Sequence, residues 1–518
     1  MNVDRLFDQP DGSGREAGPV PKRARLSRDE QLLEFLEADR SVQPQKNVDY
    51  NSQWVKNSVT RLGRLVSQNL EMHDKHSRDP VKVMDSEYEL YQGLKDWSEV
   101  ALALTEASDW QQCYKELCGS PVFWQVVGLA ASHPNIDVRE QVLIILADLV
   151  EEDRDEGKKA LVQVFVECKL ADVLGSFLGQ LDDLREEPEL YEQYSTLCLG
   201  LAIALVEYQE IDFLHSQKLN TGVLGLVAGA SAAKVDRVAQ YCSEYVSELL
   251  VGRTEEEIRD FEATTDEDLV ELLMVVWSKF RKTLVSGSEA TEFLENCLLT
   301  LGYLGRFDSY RRRFVDNEGL DLAMLFIGSS VSKLHVSSGL KVAAAMIDQE
   351  SASQLVQMGV LKPLMKSFSS KVSRSDSPTM YILRVVAQLY KYLPFGSDER
   401  IRLTNKLIHK EFAGLEKILA LWRGLVADES DNDAVLETLA SANLVLLWVL
   451  DEKLVAKKDI DQLTAKLQID LNDLVQTVDI DIQATDQVDE RELLVSLRDT
   501  LVAKMQLLPA PNMAEAGK

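Results

Sequence analysis

The side chains with the widest chemical reach in this 518-residue sequence are six histidines and six cysteines, and their spacing rules out most of what such residues do. His73, His76, His133, His215, His335 and His409 are dispersed, and only the first two are close enough to share a helix face. A zinc centre needs a third and usually a fourth ligand. No cysteine or further histidine stands near that pair, so a surface pair is expected, with no metal and no cofactor. Cys113 and Cys118 are five apart, which is not the C-x-x-C spacing of a metal or redox site. H-E-x-x-H, G-x-S-x-G and a phosphate-binding glycine loop are all missing from the sequence. Carboxylates are abundant, but an acidic surface displays many with no acid–base role. No catalytic residue is assigned, and a non-enzymatic protein is expected.

Charge narrows the partners. With 85 Asp+Glu against 56 Lys+Arg the net charge is −29, which repels a phosphate backbone and attracts basic segments. Direct nucleic-acid binding is therefore not expected. The basic cluster Arg311-Arg312-Arg313 is flanked by Asp308 and Asp316 and reads as a solvated face or a repeat junction. The six cysteines, Cys113, Cys118, Cys168, Cys198, Cys242 and Cys297, sit mostly in apolar helical stretches, the usage of reduced thiols in an intracellular protein. No secretory leader and no membrane-length apolar span is seen, so a soluble chain with no membrane partner is expected.

The elements that must position these groups are helices. Residues 1–28 mix Pro10, Gly12, Gly14, Gly18, Pro19 and Pro21 with polar residues and read as a disordered tail. Within it Lys22, Arg23 and Arg25 form a monopartite nuclear-localisation-like segment, which predicts a nuclear protein. From Asp29 apolar residues fall at helical spacing, first Leu32, Leu33, Phe35 and Leu36, then Trp54, Val55, Val59, Leu62, Leu65 and Val66. Hairpin dipeptides between alternating runs are missing, which leaves an all-α chain. The segmentation is an N-terminal helical cap over 29–83, repeats over 84–450, a C-terminal helical cap over 451–508 and a disordered tail over 509–518.

A recurring break followed by an apolar anchor makes those helices a repeat array. Taking Val122, Leu170, Leu219, Leu269, Leu320 and Val360 as equivalent, successive differences of their residue numbers are 48, 49, 50, 51 and 40. These lie near the roughly 40–47 residues of armadillo and HEAT units. The expected fold is an armadillo/HEAT-like superhelical solenoid. In such arrays the last helix of each unit lines a groove, and import adaptors place an Asn there to hold a basic peptide. Aligned on that pattern, Asp148 takes the Asn position with Ile144 at the accompanying Trp, and Glu248 takes the Asn position a hundred residues later. With Glu207 and Glu295 these form a candidate acidic groove for Lys/Arg side chains of a partner, although Ala204 interrupts the series.

Several collinear strings resemble the spliceosome-associated beta-catenin-like family. They are Asp79-Pro80-Val81-Lys82-Val83-Met84-Asp85-Ser86-Glu87, Tyr241-Cys242-Ser243-Glu244, Glu295-Asn296, Arg311 with Arg313-Phe314, Glu318-Gly319-Leu320, Ser338-Gly339-Leu340-Lys341-Val342, Ala345-Met346-Ile347 and Arg402-Leu403-Thr404-Asn405-Lys406. The resemblance spans residues 30–475; the stretch from Thr477, with Asp479, Asp481 and Asp486, departs from it. It implies an armadillo core between helical caps, nuclear location, and association with the NineTeen-type splicing complex and its Myb-domain factor. It also implies capture of basic localisation-type segments of splicing factors. Homodimerisation is a further expectation if a terminal cap leaves apolar surface exposed. Two other readings share the fold: a nuclear-import cargo adaptor, against which the repeated Trp and Asn ladder is missing, and a regulatory solenoid subunit of a proteasome or ubiquitin-ligase assembly.

Overall fold

Short polar residues start the helices by capping their first free amides. Asn51 accepts from the Trp54 amide, Asn135 from Asp137, Asp236 from Ala239, Asp268 from Glu271 and Ser332 from His335. Thr254 with Glu257, and Asp348 with Ser351, close reciprocal capping boxes. In the computed structural model the described residues are 50–76, 79–151, 155–368, 378–427, 433–451, 471–485 and 488–506. The helix expected from Asp29, the segment Lys22, Arg23 and Arg25, and the last tail lie outside them.

Two long helices open the described chain, α1 (Ser52–Lys75) and α2 (Pro80–Trp97), and the short α3 (Glu99–Glu106) follows. The first unit is α4 (Trp110–Cys118), α5 (Pro121–Ser132) and α6 (Ile136–Val150); the second is α7 (Asp155–Glu167), α8 (Leu170–Gly179) and α9 (Pro188–Leu205). The third has only α10 (Gln217–Gly229) and α11 (Arg237–Leu250). Then come α12 (Glu255–Thr265), α13 (Leu269–Lys279) and α14 (Ser288–Leu304), and after them α15 (Asp308–Asp316), α16 (Gly319–Ile327) and α17 (Lys333–Met346). The last units are α18 (Gln349–Gln357), α19 (Leu361–Ser367) and α20 (Pro378–Tyr392), then α21 (Asp398–Val426) and α22 (Asp433–Asp451). Helices α23 (Leu471–Ala484) and α24 (Val488–Gln506) end the described chain. Among the described residues there is no strand, only a bridge between Ser231 and Lys234, and no helix is long and apolar enough to cross a membrane.

The anchors that define the repeat fall at the starts of second helices: Val122, Leu170, Leu219, Leu269 and Leu320 lie in the first turns of α5, α8, α10, α13 and α16, and Val360 directly precedes α19. The break before four of them has one physical form. Lys169 (φ 52°), Asp266 (56°), Glu318 (60°) and Gly359 (90°) are left-handed residues between the first and second helices of four units. Phe412 (71°) makes the same mark within the long α21. One left-handed residue ends a helix and reverses the chain while satisfying its last carbonyls.

The last helices of successive units pack side by side as one ladder, α2–α6–α9–α11–α14–α17–α20–α22–α24, and a second layer runs α1–α5–α8–α10–α13 behind it. A single apolar core threads both, from Val55 to Leu501. Where the third unit lacks its first helix, polar groups hold the connecting chain. Buried Asn220 donates to the carbonyls of Phe213 (2.8 Å) and Leu214 (3.0 Å), and the fully buried Tyr245 hydroxyl donates back to the Asn220 carbonyl oxygen at 2.9 Å. That network gives both carbonyls a buried partner.

Candidate partner-binding groove

The ladder helices present one residue in four to their open side. On α6 this row is Glu140, Ile144 and Asp148, all half-buried; on α11 it is Gln240, Glu244 and Glu248. On the intervening α9 the corresponding row is Thr196, Gly200 and Ala204, without charge. Polar bonds stitch neighbouring rungs: Gln193 donates to Glu140, Gln240 to Glu292, and Asn296 Nδ2 to Ser243 Oγ at 3.3 Å. The bonding amides hold the carboxylates in place without neutralising them.

Electrostatics along this row follow from crowding. Burial raises the Glu244 carboxyl above the usual carboxylate range, and the charges of Glu248 and Glu292 add to the effect. Burial and Glu151 do the same to Asp148. Glu140 is raised by burial, and Asp137 adds to this while the Gln193 hydrogen bond and Lys95 oppose it. Among the described residues, none of Glu140, Asp148, Glu244, Glu248 or Glu292 forms an ion pair, unlike Glu262, which holds Arg313 at 2.9 Å. The face therefore stores like-charge repulsion that a cationic ligand relieves.

The four groove residues expected from sequence do not share one environment. Asp148 and Glu248 lie on ladder helices, half-buried and exposed respectively. Glu207 falls in the turn after α9, which ends at Leu205, and is exposed there rather than on the row. Glu295 is exposed on α14, and its charge acts on Lys341 of α17, whose ammonium is pushed down by burial and by Arg384 of α20. Arg384 pairs with Glu437 of α22. The acidic run thus belongs to α6, α11 and α14, and basic groups take over from α17. Glu140, Glu244 and Glu292 were not picked out from sequence; four-residue steps back from Asp148 and Glu248 reach the first two, and the roughly 50-residue repeat from Gln240 reaches the third.

Other groups are tied up in the fold. Arg313 bridges Glu262 and Asp268 (3.1 Å) over the Tyr310 ring at 4.2 Å, so the arginine cluster is a repeat junction; Arg311 turns back to the Gly305 carbonyl and Asp308, and only Arg312 is exposed. The six cysteines are free thiols, four of them buried, and burial raises Cys118, Cys198 and Cys297 to about 12, far from a reactive thiolate. His73, expected in a surface pair with His76, is half-buried beside Glu87, at 3.0 Å.

Stacked helical units, a continuous ladder and an open charged face define a protein-interaction solenoid of the armadillo type. The solved structure of SYS-1 is similar in fold, with a TM-score of 0.52 and 12% identity over 92% of this chain and 82% of that one. The chain belongs to the family described as Catenin-beta-like, Arm-motif containing nuclear, whose pattern matches residues 30–437. It is 21% identical to the Beta-catenin-like protein 1 homolog of Schizosaccharomyces pombe over 477 residues, 86% of this chain and 81% of the relative. Against Beta-catenin-like protein 1 of Rattus norvegicus it is 24% identical over 385 residues, 71% of this chain and 64% of that protein, so it spans just under two thirds of the rat relative.

Proposed function

We infer that this chain is a non-enzymatic nuclear scaffold that holds basic, localisation-type segments of splicing factors along α6, α11 and α14. The observation that carries the reading is the row Glu140, Asp148, Glu244, Glu248 and Glu292, in which burial and neighbouring carboxylates raise Glu140, Asp148 and Glu244 and none of the five forms an ion pair among the described residues. A Lys/Arg-rich segment supplies the missing charges in charge-assisted hydrogen bonds. Membership of the catenin-beta-like family supports a protein partner, and the similarly folded SYS-1 has been solved in complex with POP-1. The partner is the Myb-domain factor of the NineTeen-type complex, and Lys22, Arg23 and Arg25 direct the chain to the nucleus.

Two measurements test this. Reversing Asp148 and Glu248 together to Lys abolishes binding of a fluorescent Lys/Arg-rich peptide; unchanged affinity removes this face from consideration. Affinity purification of the tagged chain from nuclear extract recovers the Myb-domain factor with spliceosomal small nuclear RNAs. Recovery of importin-β instead marks an import adaptor, and recovery of proteolytic subunits marks a degradation assembly; either outcome overturns the splicing assignment.

A further inference from the structure

Three metal-ligating side chains from three elements meet where the α1–α2 pair joins the first repeat. His73 comes from the last turn of α1, Glu87 from α2, and buried His133 from the cap of α5; their ligand atoms all lie within 4.8 Å of one another. The two imidazoles stand edge to face, with centroids 5.4 Å apart and an interplanar angle of 89°. His73 Nε2 is 3.0 Å from Glu87 Oε1, yet it is shielded from solvent and makes no hydrogen bond, because the approach fails hydrogen-bond geometry. A buried nitrogen and a carboxylate oxygen in this relation are both satisfied by one shared cation.

The surroundings are built as an outer shell. Glu87 Oε2 accepts from Asn135 Nδ2 at 3.1 Å, which fixes the carboxylate. His133 Nε2 lies 3.1 Å from the side-chain oxygen of fully buried Asn69, whose amide donates to Ser86 Oγ at 3.3 Å. On the other side of the His133 ring, Nδ1 has the Asn135 amide at 3.1 Å and the Asn135 carbonyl at 3.3 Å. The loop thus offers that nitrogen a donor and an acceptor. In one tautomer Nε2–H donates to Asn69 and Nδ1 accepts from the Asn135 amide. In the other, Nδ1–H donates to the Asn135 carbonyl, the arrangement that orients histidine ligands of metals, and Nε2 turns a lone pair toward the Asn69 oxygen, an acceptor-to-acceptor contact that a cation beside them relieves.

We propose that His73, Glu87 and His133 bind one Zn2+ that clamps the α1–α2 pair to the first repeat. Two imidazoles and one carboxylate match the nitrogen and oxygen preference of zinc and leave a fourth position for water. The role is structural: the ligands join three segments of chain, and binding to the folded state alone raises its stability by mass action.

The test uses the full chain, freed of metal with a chelator and titrated with Zn2+ alone by calorimetry, with thermal unfolding recorded in parallel. One Zn2+ binds per chain and raises the melting temperature, and His73→Gln and Glu87→Gln each weaken binding by at least about tenfold. Both side chains are only half-buried, so circular dichroism of the two variants matches the parent, and His76→Gln leaves binding unchanged. Absence of saturable Zn2+ binding overturns the proposal. So does binding, or zinc-dependent stabilisation, that survives undiminished in His73→Gln and Glu87→Gln.

Discussion

Neutralising the carboxylates of α11 should move stability and binding in opposite directions. The perturbation is Glu244→Gln with Glu248→Gln. The Glu244 carboxyl is held above its usual range by burial and by the charges of Glu248 and Glu292, so its ionised form costs the folded state free energy at neutral pH. Both groups are partly solvated, which reduces each repulsive contact to the few tenths of a kcal/mol usual for exposed charges, and the pair of substitutions stabilises by about 0.5–1 kcal/mol. A basic peptide loses one exposed charge pair, about 0.2–1 kcal/mol, and one charge-assisted bond at the half-buried Glu244, about 1.5–3 kcal/mol. The combined loss of about 1.7–4 kcal/mol means roughly 15- to 700-fold weaker binding. Fluorescence anisotropy reads the binding, and it should weaken further as salt rises. Chemical denaturation reads the stability, as the midpoint of the transition rather than one extrapolated value, since long repeat arrays depart from two-state unfolding. Lys341→Met, which removes a cation from the next part of the ladder, should not weaken the peptide. A double variant that is less stable than the parent, or that binds the peptide equally well, refutes the stored-repulsion account.

The same carboxylates set a pH dependence. Glu140, Asp148 and Glu244 are raised in the folded state, so their penalty is complete above the raised values and is relieved as pH falls through them toward the ordinary range. The stability gained by Glu244→Gln should therefore shrink as pH falls from neutral toward the ordinary carboxylate range, while peptide affinity of the parent falls with it. Asp109 and Glu257 run the other way: the Ser52 and Thr254 hydrogen bonds lower them, so what they contribute is lost only below the ordinary carboxylate range. Two glycines test the packing. A methyl group at Gly339 meets the Ile327 amide nitrogen at 2.8 Å and the Ala323 carbonyl at 2.9 Å, so Gly339→Ala should cost about 1–3 kcal/mol. Nothing lies within 4 Å of the same position at Gly128 in α5, and Gly128→Ala should stabilise by about 0.4–1 kcal/mol; denaturation midpoints compare the two. Native Cys198 and Cys297 should resist alkylation that unfolding makes rapid, followed by mass spectrometry.

What was legible in the sequence is what a short stretch of chain decides for itself. The repeat register could be read because each second helix follows a local break and carries an apolar anchor, the break being a left-handed residue such as Lys169 or Glu318 in four units. Asp148 and Glu248 could be placed on their helices for the same reason. Glu207 was misplaced by a boundary: α9 stops at Leu205, and helix ends are the least determined feature of a periodic pattern. Glu295 sits on the expected helix, but its setting depends on Lys341 of the next rung, and such pairings follow the offset between units. That offset is itself nearly constant within the array. Gln193 reaches Glu140 across 53 residues, Gln240 reaches Glu292 across 52, Tyr303 reaches the Arg253 carbonyl across 50, and His335 reaches the Phe280 carbonyl across 55. Sliding the sequence against itself by about 50 residues would thus have flagged Glu140 and Glu292 as cross-rung partners. It would have paired Glu87 with Asn135, 48 residues apart, but not Asn69 with His133, which meet across 64, outside the period. The α1–α2 pair joins the first repeat through the same two layers of stacking as the later units, and the polar contacts of Asn69, Glu87 and His133 are added at that junction. Because those contacts span different offsets, no single shift of the sequence against itself brings out the whole cluster.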